Sequence, residues 1–185
     1  MIGGLLLLGV ASVFAYIAFG DVVGPRVTTW LNPWPQANDQ AYQVVQSLYA
    51  LGAGKLLGQG IGQGFPDYIP VVHSDFAFAA IGEEWGLIGA IAVVGCFAIL
   101  AQRGIRSALG AISGRPPRHF YAYLATGVTV LMTAQSLLIM GGVTKLLPLT
   151  GVTLPFVSYG GSSLLISFIL IGLLLYLSAE SESGS

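Results

Sequence analysis

No charged side chain occurs in residues 1–20, a run made mostly of Leu, Val, Ala, Ile and Phe. About twenty apolar residues cross the hydrocarbon core of a bilayer as a helix, and a helix satisfies its own backbone there. Comparable apolar runs recur at 76–101, 119–140 and 162–178. A secretory signal peptide, the other reading of 1–20, needs a basic stretch ahead of the apolar run, and no Lys or Arg precedes this one. The expectation is an all-α, polytopic membrane protein with about four transmembrane helices in a single transmembrane domain, 1–185. Composition agrees. Hydrophobic residues make up 55% of the chain and charged residues 8%, with a mean hydropathy of +0.80. A water-facing surface carries roughly a quarter to a third charged residues, so most of this surface faces lipid. A net charge of −1 gives no basic footprint for nucleic acid. The single cysteine, Cys96, excludes a disulfide framework and reads as a small buried hydrophobe.

The connections set the topology. Residues 102–118 carry Arg103, Arg106, Arg115 and Arg118 and no acid, which marks a cytoplasmic loop by the positive-inside rule. The other connections hold fewer bases: Arg26 and Lys55 in 21–75, Lys145 in 141–161. Both termini are then cytoplasmic, and loops 21–75 and 141–161 share the outer face. In the first of these, Trp30-Leu-Asn-Pro-Trp34-Pro suits the headgroup level and forbids a regular helix. Asn38 or Asp39 can cap a helix from near Gln40, with Tyr42, Val45, Leu48, Tyr49 and Gly52 on one face. The glycine-rich run 52–64 fits neither G-x-G-x-x-G in any register nor Walker A, where Tyr49 stands at the first glycine. Two readings remain: a tightly turning loop, or a nest of backbone N–H groups with Lys55 holding a phosphate. Segment 141–161 is apolar yet broken by Pro148, Gly151 and Pro155. Such backbone packs inside protein or lines a cavity, which predicts a partly re-entrant loop. Thr126, Thr129, Thr133, Gln135 and Ser136 read as glue between helices, and the polar tail from Ala179 as disordered.

Three carboxylates, Asp75, Glu83 and Glu84, fall within ten residues at the outer edge of the second span. With Ser74 as N-cap, Asp75 lies in the first helical turn, where the helix dipole keeps a carboxylate ionised. It can serve there as a general base, as a ligand for a divalent cation, or as a capping acid. Glu83 and Glu84 follow eight and nine residues on, roughly 12 Å deeper along a continuous helix. They face either a cavity or a structural ion-pair partner, with Lys145 a candidate. His73 reads as a metal ligand, a proton shuttle or an ordinary loop histidine. His119, after the basic loop, has no chemical role in this reading.

Two stretches carry a resemblance. Residues 71–89, Val-Val-His73-Ser74-Asp75-Phe-Ala-Phe-Ala-Ala-Ile-Gly-Glu83-Glu84-Trp-Gly-Leu-Ile-Gly, are similar to the H-[ST]-D-F-x-F-x-x-x-G-E-E-x-G-x-x-G motif of the SEDS proteins (FtsW, RodA and SpoVE). Residues 147–164, with Pro148, Pro155, Ser158, Gly160, Gly161 and Ser162, resemble their second signature near the last helix. Asn32-Pro-Trp and Gly-Gln-Gly-Ile-Gly fit the family's outer loop. The resemblance covers nearly the whole chain in order. It implies a fold similar to C-type glycosyltransferases, typically of ten helices, of which this chain looks like the C-terminal part. It implies polymerisation of lipid II, an undecaprenyl-linked disaccharide, into glycan strands at the bacterial inner membrane. The implied setting is cell division, elongation or sporulation, beside a class B penicillin-binding protein and with a divalent cation, Mg or Mn.

The family's essential aspartate falls on Asp75, which the resemblance makes the candidate catalytic residue and metal ligand. His73, Ser74, Glu83, Glu84, Lys55, Lys145, Ser158 and Ser162 accompany it as candidate substrate-binding residues. In the expected reaction a sugar hydroxyl, deprotonated at Asp75, attacks the anomeric carbon of the lipid-linked donor, and the lipid diphosphate leaves. With no second carboxylate placed as nucleophile, single-displacement inversion is the simpler course. Two other functions fit the same features: a lipid II flippase whose acids line a translocation path, and a non-catalytic membrane scaffold for the penicillin-binding protein.

Overall fold

The computed structural model describes residues 20, 24–39, 41–64, 74–114 and 117–182, the side chains of 181 and 182 excepted. The first expected span, His73 and Arg115 lie outside the described residues. All regular structure among them is helical. Residues 24–31 are helical (α1), a short 3-10 turn covers Trp34–Gln36, and four longer helices follow: α2 Tyr42–Gly54, α3 Ala77–Ser113, α4 His119–Val143 and α5 Gly161–Glu182. The chain divides into two compact units, Met1–Val45 and Gln46–Ser185. In the first, Pro33 ends the helical course and caps the 3-10 turn, whose N-terminal proline fits a position with no helical donor to lose. The Tyr42 amide donates to Asp39 O at 3.1 Å, so α2 starts on a backbone carbonyl. Along α2 the buried residues are Val44, Val45, Ser47 and Ala50, while Tyr49 is exposed, so its inner face is not the one expected from the tyrosines.

The second unit holds three helices long and apolar enough to cross a membrane: Ala77–Ser113, His119–Val143 and Gly161–Glu180. Helices α3, α4 and α5 pack on one another. Their shared core is Ala108, Ala125, Val128, Met132, Leu174 and Leu177. At its tightest point α3 and α4 nearly touch, since a Cβ on Gly104 would stand 1.9 Å from Thr129 Oγ1. Small residues let helix backbones approach in this way, where hydrophobic exclusion from water is not available to drive packing. The hydroxyls do not bridge helices. Thr126, Thr129 and Ser136 each bond the carbonyl four residues back on α4, to Ala122, Ala125 and Met132. In an apolar medium the nearest acceptor is the helix's own backbone.

Four further differences from the sequence expectations have local causes. Helix α3 does not stop near 101 but continues to Ser113, carrying Arg103 and Arg106. Nothing between 102 and 113 breaks a helix, and the first prolines come at 116 and 117. The tail from Ala179 is helical through Glu182, and Arg118 Nη1 reaches both the Glu180 carboxylate at 2.6 Å and its carbonyl at 3.1 Å. Cys96 is exposed rather than buried, on a helix whose apolar outer face needs no cover in lipid. The N-cap of α3 is Phe76, without a side-chain cap bond. Ser74 is therefore not the cap, and Asp75 precedes the helix rather than sitting in its first turn.

Candidate functional site

The candidate residues gather where α3 is broken. Gly86, inside α3, has φ 67° and ψ −163°, a conformation open to glycine and strained for any other residue. In an unbroken helix, the amides of Leu87 and Ile88 would bond the carbonyls of Glu83 and Glu84. Here the loop after α2 takes both sets of partners. Leu87 N donates to Lys55 O at 2.9 Å and Ile88 N to Leu56 O at 3.3 Å. Gln59 N donates to Glu83 O at 2.9 Å and Gly60 N to Glu84 O at 3.0 Å. Four of the backbone groups freed by the kink are thus satisfied by a turning loop lying against it, in keeping with the cost of an unpaired group in an apolar setting.

This accounts for the glycine run. A Cβ on Gly58 would meet Glu84 O at 2.1 Å, one on Gly86 would meet Gly58 N at 2.3 Å, and one on Gly54 would meet Gly82 O at 1.8 Å. The loop is a backbone splice into a broken helix, not a phosphate cradle. The amides of Gln59 and Gly60, which a nest would aim at an anion, are committed to Glu83 and Glu84, so the nest reading is set aside. Lys55 itself is exposed, with φ 48° just past the end of α2, and Lys145 has φ 62° just past the end of α4. Both lysines therefore occupy left-handed positions that glycine usually fills, and both place a cation where the helix dipole favours one.

The kink divides the acids. Glu83 is buried, at 5% exposed, beside Gly64, where a Cβ would lie 3.2 Å from its carboxylate. Glu84 is half-buried and lines a groove of about 560 Å³ between the short half-helix 77–85 and the turn 156–161. Ser158 lines the same groove, as do Trp85, Tyr159, Gly160 and Gly161. Ser162, exposed, follows as the second residue of α5. Asp75 is half-buried, two residues before Ala77, which also lines the groove. Its Oδ2 lies 3.9 Å from a Cβ position on Gly151, so the first motif and the broken segment 144–160 come together there.

That segment is held by polar contacts the sequence did not single out. Ser158 Oγ accepts from Leu154 N at 2.8 Å, which closes the turn at Pro155 and Phe156 and commits part of its hydroxyl to structure. Gln135 of α4 donates to Thr153 O at 2.8 Å, and the hydroxyls of Thr153 and Ser163 lie 2.6 Å apart. A polar residue in the middle of an apolar span was the visible signal for Gln135, but its partner 18 residues on was not. Among the described residues no three His, Cys, Asp or Glu side chains converge as a metal site. Asp75 supplies one carboxylate, which fits the mode in which Mg²⁺ is bound by one or two carboxylates plus substrate phosphates and water.

Comparison with known proteins places this geometry. The model of the cell cycle protein family FtsW/RodA/SpoVE matches residues 1–183. The peptidoglycan glycosyltransferase RodA of Mycobacterium bovis is 41% identical over 171 residues, 92% of this chain and 35% of that protein. Stage V sporulation protein E of Bacillus subtilis is 39% identical over 178 residues, covering 95% of this chain and 47% of its own. A probable peptidoglycan glycosyltransferase FtsW of Geobacter sp. strain M18 is 42% identical over 162 residues, 86% of this chain and 43% of its own. Among solved structures, a chain from a peptidoglycan synthase complex that coordinates polymerization and crosslinking superposes with a TM-score of 0.68 at 25% identity, covering 96% of this chain and 48% of that one. The chain thus spans less than half the length of each of these relatives.

Proposed function

The chain belongs to the FtsW/RodA/SpoVE family, and we propose that it forms part of a multi-pass membrane glycosyltransferase of the bacterial inner membrane that polymerises lipid II into glycan strands. The observation that carries this reading is the meeting of Asp75 with the broken segment at Gly151, beside a groove lined by Glu84 and Ser158. An outer-face site at the lipid surface suits a substrate with a sugar–diphosphate head and a prenyl tail. Loops 21–75 and 141–161 then lie outside the cell and both termini inside.

In this mechanism the Asp75 carboxylate accepts the proton of an acceptor sugar hydroxyl. That oxygen bonds to the anomeric carbon of the donor as the bond from that carbon to the diphosphate oxygen breaks. Glu84 and Ser158 orient the sugars from the groove wall, Ser74 and Ser162 complete the polar rim, buried Glu83 fixes the half-helix, and His73 is a further candidate for binding substrate. Lys55 and Lys145 offset charge on the departing diphosphate. A divalent cation held at Asp75 would supply further neutralisation of that charge. The proposed partner is a class B penicillin-binding protein, in keeping with the synthase complex to which the fold is similar.

The test is a full-length family member carrying this chain in place of its own matching segment, purified in detergent with lipid II. Polymer formed with no bilayer to cross supports the transferase. Movement of lipid II across vesicles with no polymer in detergent contradicts it and favours a transporter.

A further inference from the structure

The inner half of α3 carries a feature that the proposed reaction leaves unused. Arg103 and Arg106 lie three residues apart, so they project from neighbouring positions on one side of the helix. Both are exposed, and neither has a hydrogen-bond or ion-pair partner among the described residues. No acid occurs between 85 and 179. Ile105, Leu109 and Ile112 are also exposed, at 53%, 57% and 45%, and helical spacing sets them on an adjoining strip. The buried face, Gly104, Ser107, Ala108 and Ala111, is turned to the core.

The exposed aromatics give the depth. Trp85 and Tyr159 are exposed at the kinked end, and Phe120, Tyr123 and Tyr176 at the other, the two-belt pattern of rings at both headgroup levels. Arg118 N donates to Ala111 O, which ties the start of α4, and so Phe120 and Tyr123, to the end of α3. From Leu87, the first residue past the kink, Arg103 and Arg106 stand roughly 24 and 29 Å along the helix. The hydrocarbon core is about 30 Å thick. Both guanidinium groups therefore reach the inner phosphate layer, with their stems and the isoleucine–leucine strip in the acyl chains.

We propose that Arg103 and Arg106 form a headgroup site for an anionic phospholipid, whose acyl chain lies along Ile105, Leu109 and Ile112. The planar guanidinium fork matches phosphate geometry, and the acid described at this end of the bundle, Glu180, is paired with Arg118, which leaves the charge of Arg103 and Arg106 available to lipid. The site is independent of the glycosyl-transfer reading.

The experiment reconstitutes the chain in phosphatidylcholine nanodiscs containing a minority of phosphatidylglycerol and measures, by native mass spectrometry, which lipid stays bound. The wild-type chain should retain phosphatidylglycerol above its bulk fraction. Each arginine near the surface is expected to add about fivefold to that preference. Arg103→Gln with Arg106→Gln should remove most of it, Arg103→Lys with Arg106→Lys should keep most of it, and high salt should weaken it. Equal preference in the wild-type chain and the glutamine variant overturns the site. So does a wild-type preference that ignores ionic strength, a result that decides the matter even if the glutamine variant does not fold. Complete displacement of the lipid by millimolar inorganic phosphate also overturns it, since that points to a free-anion site.

Discussion

The two ends of α3 are held by opposite means. At the kinked end the helix is broken at Gly86, and four backbone hydrogen bonds with the loop after α2 stand in for helical ones. That end depends on side chains being absent, because Gly54, Gly58, Gly82 and Gly86 leave no room for a Cβ. At the far end the helix is continuous and packs through side chains, with one close approach, at Gly104, that also depends on a missing Cβ. Gly104 lies against Thr129, Ala108 in the shared core, and the Arg118–Glu180 pair ties α4 to α5. The comparison teaches where this chain keeps its irregular backbone. A broken helix in an apolar setting needs a partner for each freed group, and the only irregular segments among the described residues of the second unit long enough to act so deep are the glycine loop and 144–160. Both lie at the end that carries Asp75, Glu83 and Glu84. The far end packs like an ordinary membrane bundle.

Substitutions can break this contrast in order of effect. Gly58→Ala should be the most damaging small change. Its Cβ would press on Glu84 O at 2.1 Å at a residue with φ 80°, so the splice must part. Lost hydrogen bonds at about 1–3 kcal/mol each and left-handed strain of about 1–2 kcal/mol predict a large fall in the detergent unfolding temperature. A thermal melt within error of wild type would show that the splice does not hold the kink. Gly104→Ala should cost about 1–3 kcal/mol by overpacking against Thr129. Thr129→Ala in the same chain should restore much of it, a coupling a double-mutant cycle can read.

Ser158→Ala removes the acceptor of Leu154 N and should cost about 1–2 kcal/mol, measured by loss of protease resistance in the segment 144–160. Arg118→Ala should have the smallest effect, under about 1 kcal/mol, since both partners are 35% exposed and such pairs are screened. A larger loss there than at Gly58 would invert the comparison.

Much of this architecture was legible in the sequence. Long uncharged runs fix membrane helices because no other single segment satisfies its backbone in lipid, and Pro148, Gly151 and Pro155 marked the broken segment for the same reason. The two motifs pointed to Asp75 and to the turn at Ser158, and the structure sets them at one end of the bundle. The kink was not legible. Gly86 looks like any other glycine in an apolar helix, and its partners in 55–60 are some thirty residues away and speak through backbone atoms, which leave no side-chain signature. The glycine run was visible but its purpose was not, since a phosphate cradle and a backbone splice ask for the same residue. The end of α3 was misjudged because arginine is a good helix former, so charge marks the membrane's edge and not the helix's. Cys96 misled because burial in a water-soluble core and exposure to lipid select the same apolar residues.

The measurement that bears most directly on the account is glycan polymerisation from lipid II by the full-length chimera carrying Asp75→Ala. Asp75 precedes the helix, whose N-cap is Phe76, so the variant should keep its unfolding temperature. Loss of a positioned general base should lower polymer yield by at least about a hundredfold. A variant that folds and still makes glycan at close to the parent rate would contradict the assignment of the chemistry to Asp75.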